Sequence, residues 1–201
     1  MFGDGTPNLK ILDVGCGWNK TPGAIGIDVN PKTHADVIHD LGSIPYPFAD
    51  DEFDKIVCSH VAEHVPDVMA FVAELHRITK PGGSIQIVTP HYSNPDWPTD
   101  PTHRNHFNSY SFNCFIEDRQ LFPFYTDVRL KPIRTYVSLA NVWRAIGLEL
   151  LVNLDQSWPK LRFTRKFWEF YLNGIVRGKE LQFEFLVVKP TITVSSTGAP
   201  Q

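Results

Sequence analysis

Apolar and polar positions alternate in short blocks through the first half of the chain. Leu9, Ile11, Leu12 and Val14 form a run long enough for a buried strand, and Gly15 and Gly17 stop it. Ala24–Ile27, closed by Asp28, and Ala35–His39, closed by Asp40, predict a second and a third strand. Phe53–Ser59 and Ser84–Thr89 predict a fourth and a fifth. Between these last two, Val68, Phe71, Val72, Leu75 and Ile78 recur at helical spacing, which predicts an amphipathic helix over Pro66–Thr79. Lys80-Pro81-Gly82-Gly83 is expected to end it, with glycine taking a left-handed cap. A strand, a helix and a strand in succession require a crossover, and hence parallel pairing.

The pattern changes after Pro90. HYSNPDWPTDPTHRNHFNSY has no steady period and is too long for an ordinary connection, so it reads as a lid over the strand ends. Ser109–Arg119 has helical spacing, Thr126–Val137 reads as a strand, and Leu139–Val152 places Val142, Trp143, Ile146 and Leu150 on one helical face. Phe163, Phe167, Phe170 and Tyr171 repeat at helical spacing and are expected in the core. An apolar substrate pocket or a membrane-surface contact stays open for them, because Lys160, Arg162, Arg165 and Lys166 lie alongside. Leu181–Lys189 alternates Phe183, Phe185 and Val187 and predicts the last strand.

Gly15 and Gly17 leave the end of the first strand free of side chains, and Asp28 ends the second strand where a carboxylate can accept from ribose hydroxyls. A dinucleotide site would need a third glycine. Gly15-Cys16-Gly17-Trp18-Asn19-Lys20 has none at that spacing, and Asp28 comes 13 positions after Gly15 where that fingerprint expects roughly 20. Pyrophosphate recognition is thus disfavoured, and a nicotinamide oxidoreductase with it.

DVGCG followed by Asp28 resembles motif I of the class I S-adenosylmethionine-dependent methyltransferases. The resemblance continues through VIHDL, IPYPFA, FDKIVCS, EHV and LHRITKPGGSIQIVTP, in the family's order from Leu9 to about Pro90. WNKTPG, Trp18–Gly23, departs from it, being too short for the family's first helix. The resemblance implies an α/β, Rossmann-like, doubly wound, mostly parallel seven-stranded sheet with the last strand antiparallel and helices on both faces. It implies S-adenosylmethionine as cofactor, held by Asp13, Gly15, Cys16, Gly17, Asp28, Val29, Asp40, Leu41 and Ser59. Asp28 would bind the ribose, and Asp40 with the Leu41 backbone the adenine. Asp40 also reads simply as a turn or N-cap residue. The fourth strand carries no D/N-P-P-Y motif, which disfavours nucleobase amino groups as acceptors.

Such a donor needs alignment and water exclusion more than covalent help from the protein. A base for an oxygen acceptor would be a histidine. His60 and His64 follow the fourth strand and His91, His103 and His106 lie in the lid; His103, His60 and His91 are the candidates, each also readable as a loop-stabilising residue. His91, Asp96, Asp100, His103 and His106 form no recognised metal pattern, so no metal is expected. Asp50-Asp51-Glu52 reads as a solvated turn.

Two hundred and one residues with 42% hydrophobic and 20% charged content describe one globular domain. Residues 1–8 are read as a short leader, 9–90 as a cofactor-binding half, 91–189 as a lid and substrate half, and 190–201 as a flexible tail. A net charge of −3 without a basic cluster in the first half disfavours duplex nucleic acid. No apolar run approaches a membrane span, no signal peptide is visible, and three cysteines without framework spacing point to the cytoplasm. The expected function is methyl transfer to a small-molecule or carbohydrate-like acceptor, on oxygen; the alternative is a non-catalytic nucleoside- or partner-binding subunit. Oligomeric state is not legible in the chain.

Overall fold

The computed structural model describes residues 9–119 and 123–190. The expected leader and all of the expected tail beyond Pro190 lie outside these residues. Seven strands form one sheet: β1 (Ile11–Val14), β2 (Ile25–Asp28), β3 (Val37–Ile38), β4 (Phe53–Ser59), β5 (Thr79–Pro90), β6 (Arg129–Leu139) and β7 (Gly178–Val188). Their order is β3-β2-β1-β4-β5-β7-β6. The first five pair in parallel, while β7 runs antiparallel between β5 and β6. Registers such as Val14↔Cys58 align the carboxyl ends of β1 and β4. In parallel sheets that edge is where ligands bind.

Helix α1 (Val68–Ile78) connects β4 to β5. It starts two residues later than its apolar spacing predicts, because Pro66 cannot donate and Asp67 caps the helix, accepting from Ala70 N at 3.0 Å. It buries Phe71, Val72, Leu75 and Ile78. Glu74, also buried, is matched by Tyr46 N at 2.7 Å and the Arg77 guanidinium at 2.6 Å, which offsets the cost of an internal carboxylate. The expected glycine cap does not close the helix. Thr79 turns directly into β5, its Oγ1 donating to Leu75 O at 2.7 Å, and the left-handed Gly82 (φ 75°) lies within the strand.

Past β5 the helical spacing was less informative. Ser109–Arg119 forms turns and two 3-10 segments, Asn113–Phe115 and Glu117–Arg119, in place of a helix. The strand expected over Thr126–Val137 runs from Arg129 to Leu139. The helix expected over Leu139–Val152 splits into α2 (Asn141–Ala145) and α3 (Leu148–Val152) at the left-handed Gly147 (φ 82°). After α4 (Arg162–Phe167) and a π-turn over Trp168–Leu172, the expected core aromatics point outward: Phe163, Phe167, Phe170 and Tyr171 are 64, 53, 64 and 74% exposed. The aromatic core of this half comes from elsewhere. Phe112 lies 4.8 Å from Phe183 and 5.4 Å from Phe107, ring centre to ring centre, and one buried cluster runs from Leu12 on β1 to Val187 on β7.

Candidate active site

The carboxyl ends of β1, β2 and β4 open onto a cleft of about 310 Å³ lined by residues of the glycine turn, the Asp28 and Asp40 strand ends, and the 60–66 segment. Gly15 is left-handed (φ 67°), and a Cβ there would lie 2.2 Å from Val61 Cγ2, so a side chain would strain the backbone and displace Val61. Gly15 N donates to Ile27 O at 2.8 Å and Gly17 N to Asp28 Oδ2 at 2.9 Å, which ties the turn to the end of β2. Asn30 N donates to the other Asp28 oxygen at 2.8 Å. Both contacts fix the carboxylate plane and leave lone pairs on each oxygen. Asp40 accepts from Gly42 N at 2.9 Å in a tight turn, the reading that its turn-residue alternative gave, and it lines the cleft as well.

Of the residues expected to hold cofactor, Gly15, Asp28, Val29, Asp40 and Leu41 line this cleft. The others stand behind them. Asp13 is buried and accepts from Thr21 N at 2.6 Å, pinning the short WNKTPG turn that replaces a helix. Cys16 is turned toward Gly26 of β2, where a Cβ would sit 2.7 Å from its sulfur. Burial, followed by the charges of Asp13 and Asp28, pushes its thiol pKa up, so it stays protonated. Gly17 acts through its N–H on Asp28, and Ser59 pairs with Val88 on β5 at the strand end before His60.

The histidines separate in the same way. His60 lines the cleft and adopts a left-handed conformation (φ 57°) rare for a side-chain-bearing residue. Its Nδ1 is 3.2 Å from Glu63 Oε1 and its Nε2 3.5 Å from Glu180 Oε1. The Glu63 hydrogen bond, against the opposing effect of burial, raises the imidazole pKa. His103 stands one layer back, its ring 4.8 Å from that of His64, its Nδ1 held at 2.8 Å by Trp97 O. His91 is fully buried, with Nε2 2.8 Å from Glu169 Oε1 and Nδ1 2.7 Å from Ser93 Oγ, and is not among the groups lining the cleft.

His64, named among the histidines after the fourth strand, also lines the cleft, whereas Glu63 escaped the sequence reading: it is fully buried and orients His60 while accepting from Thr89 Oγ1 at 2.9 Å. The signal for Glu63 was the EHV segment, quoted for its histidine and not for its carboxylate. The lid docks on this same segment. Arg104 N donates to Glu63 O at 2.8 Å, Asn105 Nδ2 to Val65 O at 2.8 Å, and Thr102 Oγ1 lies 2.9 Å from His64 Nδ1. Glu63, His64 and His103 bring donor atoms within 4.8 Å of one another, but each is already engaged by protein partners. The five-residue acidic and histidine set of the lid is not gathered into one place, since His91 faces Glu169.

Comparison with known families matches residues 12–87 to the family described as "Methyltransferase domain". Over this stretch the chain resembles a methyltransferase domain. Its strand order, with an antiparallel seventh strand inserted between the fifth and sixth, agrees. A putative methyltransferase structure from Bacillus halodurans superposes with a TM-score of 0.55 at 17% identity, over 92% of this chain and 94% of that one. The chain is also 35% identical over 104 residues to a chloroplastic tocopherol O-methyltransferase of Arabidopsis thaliana, covering 40% of this chain and 30% of that protein. It is 35% identical over 57 residues to a demethylmenaquinone methyltransferase of Lysinibacillus sphaericus, covering 28% of this chain and 24% of that one. The chain thus spans less than a third of the length of either relative. The family's cofactor is S-adenosylmethionine, and the donor set fits it: a side-chain-free turn at Gly15 beside two carboxylates at adjacent strand ends.

Proposed function

We propose that this domain transfers a methyl group from S-adenosylmethionine to a small-molecule or carbohydrate-like acceptor, on oxygen. The observation that carries the reading is the shared cleft, which brings Gly15, Asp28 and Asp40 together with two imidazoles under a docked lid. The name of the tocopherol relative specifies oxygen, and that of the demethylmenaquinone relative leaves the atom open. When bound, the cofactor supplies a methyl group on a positively charged sulfur.

The chain's own residues supply the rest. Asp28, held by Gly17 and Asn30, orients a ribose, and Asp40 with Leu41 borders the base. The lid, anchored on Glu63 and Val65, excludes water from the acceptor side. His60 removes the acceptor proton, with Glu63 orienting its ring. Three free cysteines support a reducing compartment such as the cytoplasm. Among the described residues no helix is long and apolar enough to cross a membrane.

Calorimetry with S-adenosylmethionine and its demethylated product tests the cofactor. Incubation with labelled donor and a metabolite extract tests transfer. Binding without label transfer to any acceptor would favour the non-catalytic alternative. His60 also gives a pH test. Because Glu63 raises its pKa, the ring stays protonated above the ordinary 6.5 and becomes a base only at higher pH. The rate of methyl transfer is therefore expected to rise with pH through a value above 6.5, and His60→Gln to remove that limb at saturating cofactor. An unaltered profile in the variant would take His60 out of the proton path.

A further inference from the structure

A second cavity, of about 790 Å³, lies along the edge strand β6, and none of its lining residues lines the cofactor cleft. Its volume is that of a small-molecule site. Arg119, Arg134, Arg162, Arg165 and Lys166 line it, against a single carboxylate among the described residues, Asp155. Like charges gathered around one recess repel, and together they raise a positive potential inside it.

Arg165 is the telling residue. It is only 5% exposed, and its Nη2 bonds to Asp155 Oδ1, yet its buried Nε has no hydrogen-bond partner. An ion pair built for stability alone would engage both edges of the guanidinium fork. Here one edge is left unmet, and burial disfavours the charge. Glu169, the other acid close to Arg165, is taken up by His91 Nε2 at 2.8 Å and Ser109 Oγ at 2.6 Å. Among the described residues, neither Arg162 nor Lys166 makes an ion pair, and both are exposed.

We propose that this cavity binds a phosphate-bearing ligand, with Arg165 at its floor and Arg162 and Lys166 at its mouth. Several cations around one planar fork suit a multiply charged tetrahedral oxyanion better than a single carboxylate. The volume exceeds what a bare phosphate fills, leaving room for the group that the phosphate is attached to. Phe163 is shared with an adjoining apolar recess of about 460 Å³ that includes Leu151, Phe167 and Trp168. The phosphate can therefore belong to a soluble ester or to a lipid headgroup.

The test uses the full chain. Titration with pyrophosphate is expected to show saturable one-site binding that weakens with added salt. Arg162→Gln/Lys166→Gln, altering exposed side chains only, is expected to weaken it about tenfold or more, and Arg165→Gln to remove it. Circular dichroism checks the fold of each variant, and the mouth variant decides the matter where Arg165→Gln does not fold. Asp28→Ala is expected to leave pyrophosphate binding unchanged. Co-sedimentation with phosphatidylcholine vesicles, with and without phosphatidic acid, distinguishes the sources. Preference for phosphatidic acid, lost in the mouth variant, places the phosphate on a lipid; pyrophosphate binding without that preference places it on a soluble ester. The proposal is overturned by the absence of both, by equal binding in the wild type and the mouth variant, or by loss of binding in Asp28→Ala, which would put the anion in the cofactor cleft.

Discussion

Phe112→Ala is expected to destabilise the protein by about 3–5 kcal/mol, the range for truncating a well-packed buried aromatic ring. The ring is 1% exposed and touches Phe107, Phe115, Phe183 and Phe185. These neighbours come from the lid's end, the turns after it and β7, so one truncation opens a void that the lid, the turns and the sheet all border. The surrounding rings sit on strands and tight turns and cannot collapse into that space. Urea denaturation followed by far-ultraviolet circular dichroism would show a lower midpoint in a single transition. A midpoint within error of the wild type would mean that Phe112 is not part of the core. Two separated transitions in the wild type would show that the halves fold as independent units.

Asp28→Ala is expected to weaken S-adenosylmethionine binding by about 1–3 kcal/mol, the cost of losing hydrogen bonds to a charged acceptor. That corresponds to roughly 5- to 150-fold in Kd. Two losses combine. The carboxylate no longer accepts from the ribose, and Gly17 N and Asn30 N lose the group that shapes the glycine turn. Asp28→Asn separates them, because an amide oxygen can keep one of the turn contacts but not two charged acceptors. Calorimetry on both variants, with thermal melts as the control, measures the effect. Unchanged affinity in Asp28→Ala would remove the residue from the site.

The cofactor side was legible because its logic is local. Short apolar runs ended by Gly15, Asp28 and Asp40 state both the strands and their ligand-facing ends, and parallel pairing then brings those ends together. The second half resisted reading because helical spacing reports that a face exists, not which way it points. Phe163 and Phe167 share a face, and the face looks out. His91 shows the other limit. As a residue type placed just after β5 it reads as a base. The ring turns inward because Gly178, 87 positions later, has no Cβ; one built there would lie 2.6 Å from His91 Cγ. No inspection of the segment around His91 could reveal a space made by a residue so distant. Glu63 was similarly hidden, since its role depends on Thr89 across the sheet.

Glu63 serves two masters at once: its carboxylate faces the His60 ring, and its main-chain oxygen receives the amides of Arg104 and Asn105. The strap over the acceptor side and the aim of the imidazole therefore share one hinge pin. Hydrogen–deuterium exchange at those two amides becomes a remote gauge of that joint, readable without any acceptor in hand.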